Sequence, residues 1–225
     1  MKNKVVDYRG FRPRLINEPE YRHLKLLLYW PVYGLLFWYV ERFYPVEHYY
    51  SVRCPIDNMI PFNELFLIPY LFWFVFLTGM LLYTLLCDVE CFRKMMKFII
   101  VTYSAAILTY FLFPTCQDLR PETFPRDNIL TRFIEEFYAF DTNTNVCPSI
   151  HVIGSIAVLF AAWNTERFSG PGWRAAFTAA AILICVSTLF MKQHSFVDVA
   201  AALPVCAVGY FLSFKPLRRP VRAMV

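Results

Sequence analysis

Charge is what this 225-residue chain has least of. Aspartate, glutamate, lysine and arginine together make up 17% of it, against about 25% in an ordinary soluble domain. Glycine is scarce too, at seven residues, and histidine scarcer, at four. Low charge with 58% apolar residues excludes intrinsic disorder and a highly charged nucleic-acid binder. So few glycines, without a period, exclude collagen-like and low-complexity arrays. A soluble globular domain is disfavoured by the same numbers. No apolar stretch precedes Leu24, so a cleavable signal peptide is not expected and the first apolar run should stay as an anchor. Cysteine is odd in number, at seven. Cys87 and Cys91 are four apart but lack an accompanying histidine or second pair, so no metal site is expected there.

What is present is aromatic and apolar, and it is arranged in runs. Six apolar stretches span residues 24–40, 65–87, 98–113, 150–163, 175–190 and 199–214. A membrane-spanning helix needs about 20 residues, so only the first two reach the usual range unaided and the rest need flanking residues. The expected architecture is an all-α, polytopic membrane helical bundle of about six transmembrane helices, with an ordered outer loop region. Three parts are expected: a basic N-terminal segment over 1–23, a six-span domain over 24–214 and a basic tail over 215–225.

The connections differ in kind. Residues 41–64 are rich in tyrosine and proline and close on Asn63, a candidate helix N-cap. Residues 88–97 read as a short charged turn, and 164–174 as another. Residues 114–149 form the longest connection, too long for an idle loop. Six spans place the N-terminus, the 88–97 and 164–174 turns and the C-terminus on one side. That side carries sixteen of the 22 lysines and arginines, so both termini are expected in the cytoplasm. The loops 41–64, 114–149 and 191–198 then face outward. Cys54, Cys116 and Cys147 all fall in the first two of these, where a disulfide between two of them stays open and the sequence does not choose the pair.

Ionisable groups beside membrane spans are costly and point to function. Cys147-Pro148-Ser149-Ile150-His151 opens the fourth run: Ser149 is placed to cap the helix, and His151 falls in its first turn, where amides attract anions. Read by itself, this is equally a capped helix with an interfacial histidine. Lys192-Gln193-His194-Ser195-Phe196-Val197-Asp198 precedes the sixth run. His194 and Asp198 are four apart, so a helix would set them on one face. The carboxylate would fix the imidazole tautomer and leave the other nitrogen as nucleophile or base. A buried pair that fixes helix packing is the plainer alternative. Arg120-Pro121 adds a guanidinium suited to phosphate oxygens. Lys192 adds a second cation, or else an interfacial lysine. His23 and His48 have no such context.

These blocks resemble the type 2 phosphatidic acid phosphatase superfamily of membrane-embedded lipid phosphate phosphatases and phosphotransferases. The family pattern has a Lys followed at a distance by Arg-Pro, then Pro-Ser-small-His, then Ser-Arg, five residues, His, three residues and Asp. Here Arg120-Pro121, Pro148-Ser149-Ile150-His151, Ser187 and His194-x-x-x-Asp198 match it, within residues 114–205. Phe113 stands where the family Lys would be, Thr188 where the family Arg would be, and Ile150 where Gly is common. These departures look like the branch that contains inositol phosphorylceramide and sphingomyelin synthases, which transfers a phospho-headgroup between lipids.

The resemblance implies an integral-membrane enzyme acting on a lipid phosphate or phospholipid, with water or a lipid alcohol as acceptor. His194 would be the nucleophile forming a phosphohistidine, Asp198 its orienting acid and His151 the general acid and base. Arg120, Lys192 and Ser149 would hold the phosphate oxygens. It implies no cofactor and no metal, and no nucleic-acid partner is expected. A proton-coupled transporter would place its polar residues near mid-span, whereas these lie at span ends. A scaffold that has lost catalysis remains the alternative that the absent cations leave open.

Overall fold

A computed structural model describes residues 5–215. Lys2, Lys4 and the basic tail from residue 216 onward lie outside the described residues. Among the described residues the chain forms seven α-helices: α1 Tyr29–Arg42, α2 Leu67–Cys87, α3 Val89–Leu112, α4 Ile129–Phe140, α5 Ile150–Asn164, α6 Pro171–Phe190 and α7 Phe196–Ser213. The only paired strands there are two-residue β1 Tyr50–Ser51 and β2 Thr115–Cys116. The all-α membrane bundle expected from composition is what forms.

Each of the six apolar runs became a helix, and α4 is a seventh. Four stretches are long and apolar enough to cross a membrane: Glu64–Cys87, Val89–Leu112, Pro171–Phe190 and Phe196–Ser213. The other two are shorter. α5 has 15 residues, about 22 Å at 1.5 Å per residue, less than a hydrocarbon core of about 30 Å. α1 has 14 residues and continues a seven-residue 3-10 run, Arg22–Leu28.

The charged stretch 88–97 corrects one expectation, because it is the start of α3 and not a turn. The Asp88 carboxylate caps the helix by accepting from the Cys91 amide at 3.1 Å. Glu90 sits in the first turn, where the helix dipole favours an acid, and pairs with Lys94 at 3.0 Å. The α2–α3 connection thus shrinks to Asp88. Helix α6 likewise starts before its apolar run. Gly170 is its N-cap and Pro171 its first residue, a position where proline costs nothing because that amide has no partner in any helix.

The long 114–149 connection is ordered around α4. Asn128 accepts from the Leu130 and Thr131 amides, and the Thr131 hydroxyl accepts from the Asn128 amide. Leu130, Ile134, Phe137 and Tyr138 follow at helical spacing and pack against Leu67, Tyr70 and Met191. The parallel pair of β1 and β2 then ties the 41–64 and 114–149 connections together.

Helix α5 lies at the centre and touches α2, α3, α6 and α7. Its small residues allow this. A Cβ added at Gly154 would stand 2.8 Å from the Tyr103 hydroxyl and 2.9 Å from Trp73 Nε1. The outward faces of the other helices keep large apolar residues exposed, among them Leu35, Ile68, Val75, Ile182 and Leu203. That is the surface expected toward lipid, where no water competes for the backbone and only closed hydrogen-bonded structure survives.

Candidate active site

Helices α1, α3 and α6 end, and α2, α5 and α7 begin, at the same end of the bundle, and there the expected histidines meet. His194 lies in the short link from α6 to α7. Its Nδ1 faces Asp198 Oδ2 at 3.1 Å. The local sequence builds this contact. The Ser195 hydroxyl caps α7 by accepting from the Val197 amide, and the Ser195 amide donates to Asp198 Oδ2 at 2.9 Å. One carboxylate therefore closes the capping box and orients the imidazole. With Nδ1–H donating to the carboxylate, Nε2 keeps its lone pair.

His151 occupies the first turn of α5, which Ser149 caps through the Val152 amide at 3.4 Å. Its ring packs on Tyr70 and Trp73 of α2, with centroids 4.6 and 4.5 Å away. The His194 ring centroid is 5.6 Å off, edge-on. Both His151 nitrogens are buried without a hydrogen-bond partner among the described residues. A buried polar group in that state is costly, and both histidines line one cavity of about 240 Å³. Two imidazoles this close bring a single phosphoryl group within reach of both.

The expected cations do not face that cavity. Arg120 is buried, and its terminal nitrogens donate to the carbonyls of Tyr138, Asp141 and Thr142 and to Gln193 Oε1 at 2.7–3.0 Å. Those are all four of its terminal N–H bonds. Asp141 stands 3.9 Å away, and the Tyr138 ring lies under the guanidinium. Burial lowers the Arg120 pKa, with Asp141 opposing. Lys192 points elsewhere: its amine donates to the Asp57 and Ile60 carbonyls. Its backbone has φ 52°, the left-handed residue that ends α6, where glycine is usual. Burial pushes its amine below the ordinary lysine range, with Asp57 opposing. Ser149 is fully buried, and its hydroxyl serves the cap. The geometry thus gathers His151, His194 and Asp198, and holds Arg120, Lys192 and Ser149 behind them.

Several residues at the site were not singled out by sequence. Gln193 lines the cavity, and because its Oε1 accepts from Arg120, its Nε2 is left buried and unpartnered. It is adjacent to His194, the one signal that pointed to it. Asp141 also lines the cavity; burial raises its carboxyl pKa, against Arg120, His194 and Arg42. Asp57 braces the link. It accepts from the Phe196 and Cys54 amides, each at 2.8 Å, and from the Ser195 hydroxyl at 2.7 Å. Burial raises its pKa, but these bonds outweigh that and hold it below the usual carboxyl value.

Among the described residues the cysteines are free thiols. Burial, with the Asp198 carboxylate beside it, pushes the Cys147 thiol up to about 12. No group of three or more His, Cys, Asp or Glu among the described residues is placed to hold a metal ion.

The family model described as the PAP2 superfamily matches residues 94–219 of this chain. No curated protein and no solved structure gives a significant match. The matched segment holds His151, His194 and Asp198 but leaves out α1, α2 and the 41–64 connection.

Proposed function

This chain belongs to the PAP2 superfamily of membrane-embedded, phosphatase- or phosphotransferase-type lipid enzymes, and on that premise we propose a phosphohistidine mechanism acting on a phospholipid or lipid phosphate. The observation that carries it is the His194–Asp198 pair 5.6 Å from the unpartnered His151 ring. His194 Nε2 attacks phosphorus and forms an N–P bond while the P–O bond to the leaving group breaks. Asp198 holds the ring and stabilises the imidazolium that develops. His151 gives its proton to the leaving oxygen, then takes one from water or from a lipid alcohol, whose oxygen displaces His194.

Gln193 Nε2 is an unpartnered donor lining the cavity, suited to an equatorial phosphate oxygen. Arg120 acts one step back, since it clamps Gln193 and the 138–142 segment. Lys192 and Asp57 position the link that carries His194. The departures at Phe113 and Thr188 favour the headgroup-transferring branch, with the product set by which acceptor reaches His151. We place the active site on the outer face and both termini in the cytoplasm, from the asymmetry of lysine and arginine between the two ends.

The test is turnover of a labelled phospholipid by purified full-length protein with and without a lipid alcohol. Water as acceptor releases a soluble phosphate product, and transfer makes a new phospholipid. An acid-labile, phosphate-labelled adduct should form on the wild type and vanish in His194→Ala, with turnover down by about 10³-fold or more. Substantial activity in His194→Ala would overturn the mechanism.

A further inference from the structure

Helix α4 carries a second apolar face, turned away from the bundle. Leu130, Ile134, Phe137 and Tyr138 pack inward. Ile129, Phe133 and Phe140, spaced by four and seven residues, fall together on another side and are 83%, 44% and 75% exposed. Arg132, Glu135 and Glu136 are exposed on a third side. A single exposed apolar residue carries no message, but an aligned strip beside a charged sector is the pattern of a helix lying at a lipid boundary. The anchors of α4 set its direction. At its start, Asn128 Nδ2 donates to Glu64 Oε1 at 3.1 Å, where the apolar stretch Glu64–Cys87 begins. At its finish, the Phe140 carbonyl accepts from Arg42 at 2.7 Å, and Arg42 is the last residue of α1. Between them the Tyr138 hydroxyl donates to the carbonyl of Met191, just past the end of α6. Twelve helical residues span about 18 Å. A helix tied along that length to the termini of three others, all at one end of the bundle, lies across that end and not along the spans.

We propose that α4 is an interfacial helix: Ile129, Phe133 and Phe140 insert among the acyl chains of the leaflet at this end of the bundle, and Glu135 and Glu136 stay in water. Continuity with the lipid-facing side of α2 names the occupant. Phe137 and Phe140 border the same cavity as Phe74, and Phe74 stands half-exposed on α2 beside Val75, with Ile68 and Phe72 open on the same helix. The apolar strip of α4 thus extends a surface already turned toward lipid. The proposal rests on the membrane bundle and not on the phosphotransfer chemistry. It has a consequence for depth. Only the Tyr70 ring separates α4 from His151, with centroids 5.7 Å from Phe137 and 4.6 Å from His151. Seating α4 at the boundary between acyl chains and headgroups therefore sets how deep His151 lies in the bilayer.

The experiment replaces Phe133, Glu136 or Val75, one at a time, with a photoreactive benzophenone amino acid in the full-length protein. Each variant is reconstituted into phosphatidylcholine vesicles with radiolabelled acyl chains and irradiated. Val75, on the open face of α2, is the lipid-facing reference. Position 133 should take up label within about threefold of position 75 and at least about tenfold more than position 136. Position 129 reads the same ratio should the change at 133 prevent folding. Label at 133 no higher than at 136 overturns the proposal. So does cross-linking at 133 to a species of twice the mass, which would assign the strip to a second copy of the chain. No label at position 75 overturns the lipid-facing reading of α2, and the proposal with it.

Discussion

The two histidines at this site are held by different forces. His194 is fixed by a hydrogen bond to Asp198, and its four-residue spacing made that partnership legible before any coordinates. His151 is fixed by tilted ring contacts with Tyr70 and Trp73, some 80 residues earlier, and nothing local announces that contact. Arg120 shows the converse. An Arg-Pro in a polar loop looks free for a ligand, yet three carbonyls and Gln193 take up its four terminal N–H donors. Asp57 gives a prediction at this scale. Its carboxyl is more acidic in the folded protein than in the unfolded chain, so its contribution is complete above the ordinary carboxyl pKa and is lost as pH falls through the lower folded value. Asp57→Asn should cost about 1–3 kcal/mol at neutral pH and flatten the loss of thermal stability on acidification. Unfolding of both proteins in detergent between pH 3 and 7 checks this, and an unchanged acid slope would refute it.

At the scale of elements, α4 and α5 decide where the proposed site sits. Helix α4 was readable in principle: Asn128 and Thr131 form a capping box, and Leu130, Ile134, Phe137 and Tyr138 keep a helical period. Four prolines and a high content of acids in the same connection masked that signal. Helix α5 is short and enclosed by other helices, and its small residues let α2 and α3 close on it. Gly154→Ala would drive a methyl into Trp73 and Tyr103. Such overpacking costs about 1–3 kcal/mol, and here it would also displace the ring under His151. Turnover should therefore fall more than the stability loss alone explains. Gly79→Ala in α2 is the control, since nothing lies within 4 Å of its added Cβ; it should hold or gain up to about 1 kcal/mol from helix propensity. Equal effects of the two substitutions would show that α5 packing does not govern the site.

For the whole molecule, the N-terminal segment and the proposed catalytic residues lie at opposite ends of the bundle. Tyr8 donates to the Leu85 carbonyl near the end of α2 and packs with Tyr21 and Val89, whereas the site gathers at the start of that helix. Half-buried Cys54 and Cys87 mark the two ends. On sealed cells, a membrane-impermeant maleimide should label a variant keeping only Cys54. A variant keeping only Cys87 should react after permeabilisation alone. The reverse pattern would turn the protein over in the membrane and move its active site to the cytoplasm.

The sequence by itself determined the class of molecule: six apolar runs, few charges, and the blocks around His151 and His194 with Asp198. Those properties are written in composition and in spacings of three or four residues, which a helix turns directly into faces and caps. Only the tertiary structure decided which polar groups face a ligand. A side chain's free donors depend on the carbonyls that folding brings to it, and that bookkeeping turned Arg120 and Lys192 away from the cavity, left Gln193 Nε2 open, and brought Glu41 of the first helix into the cavity lining.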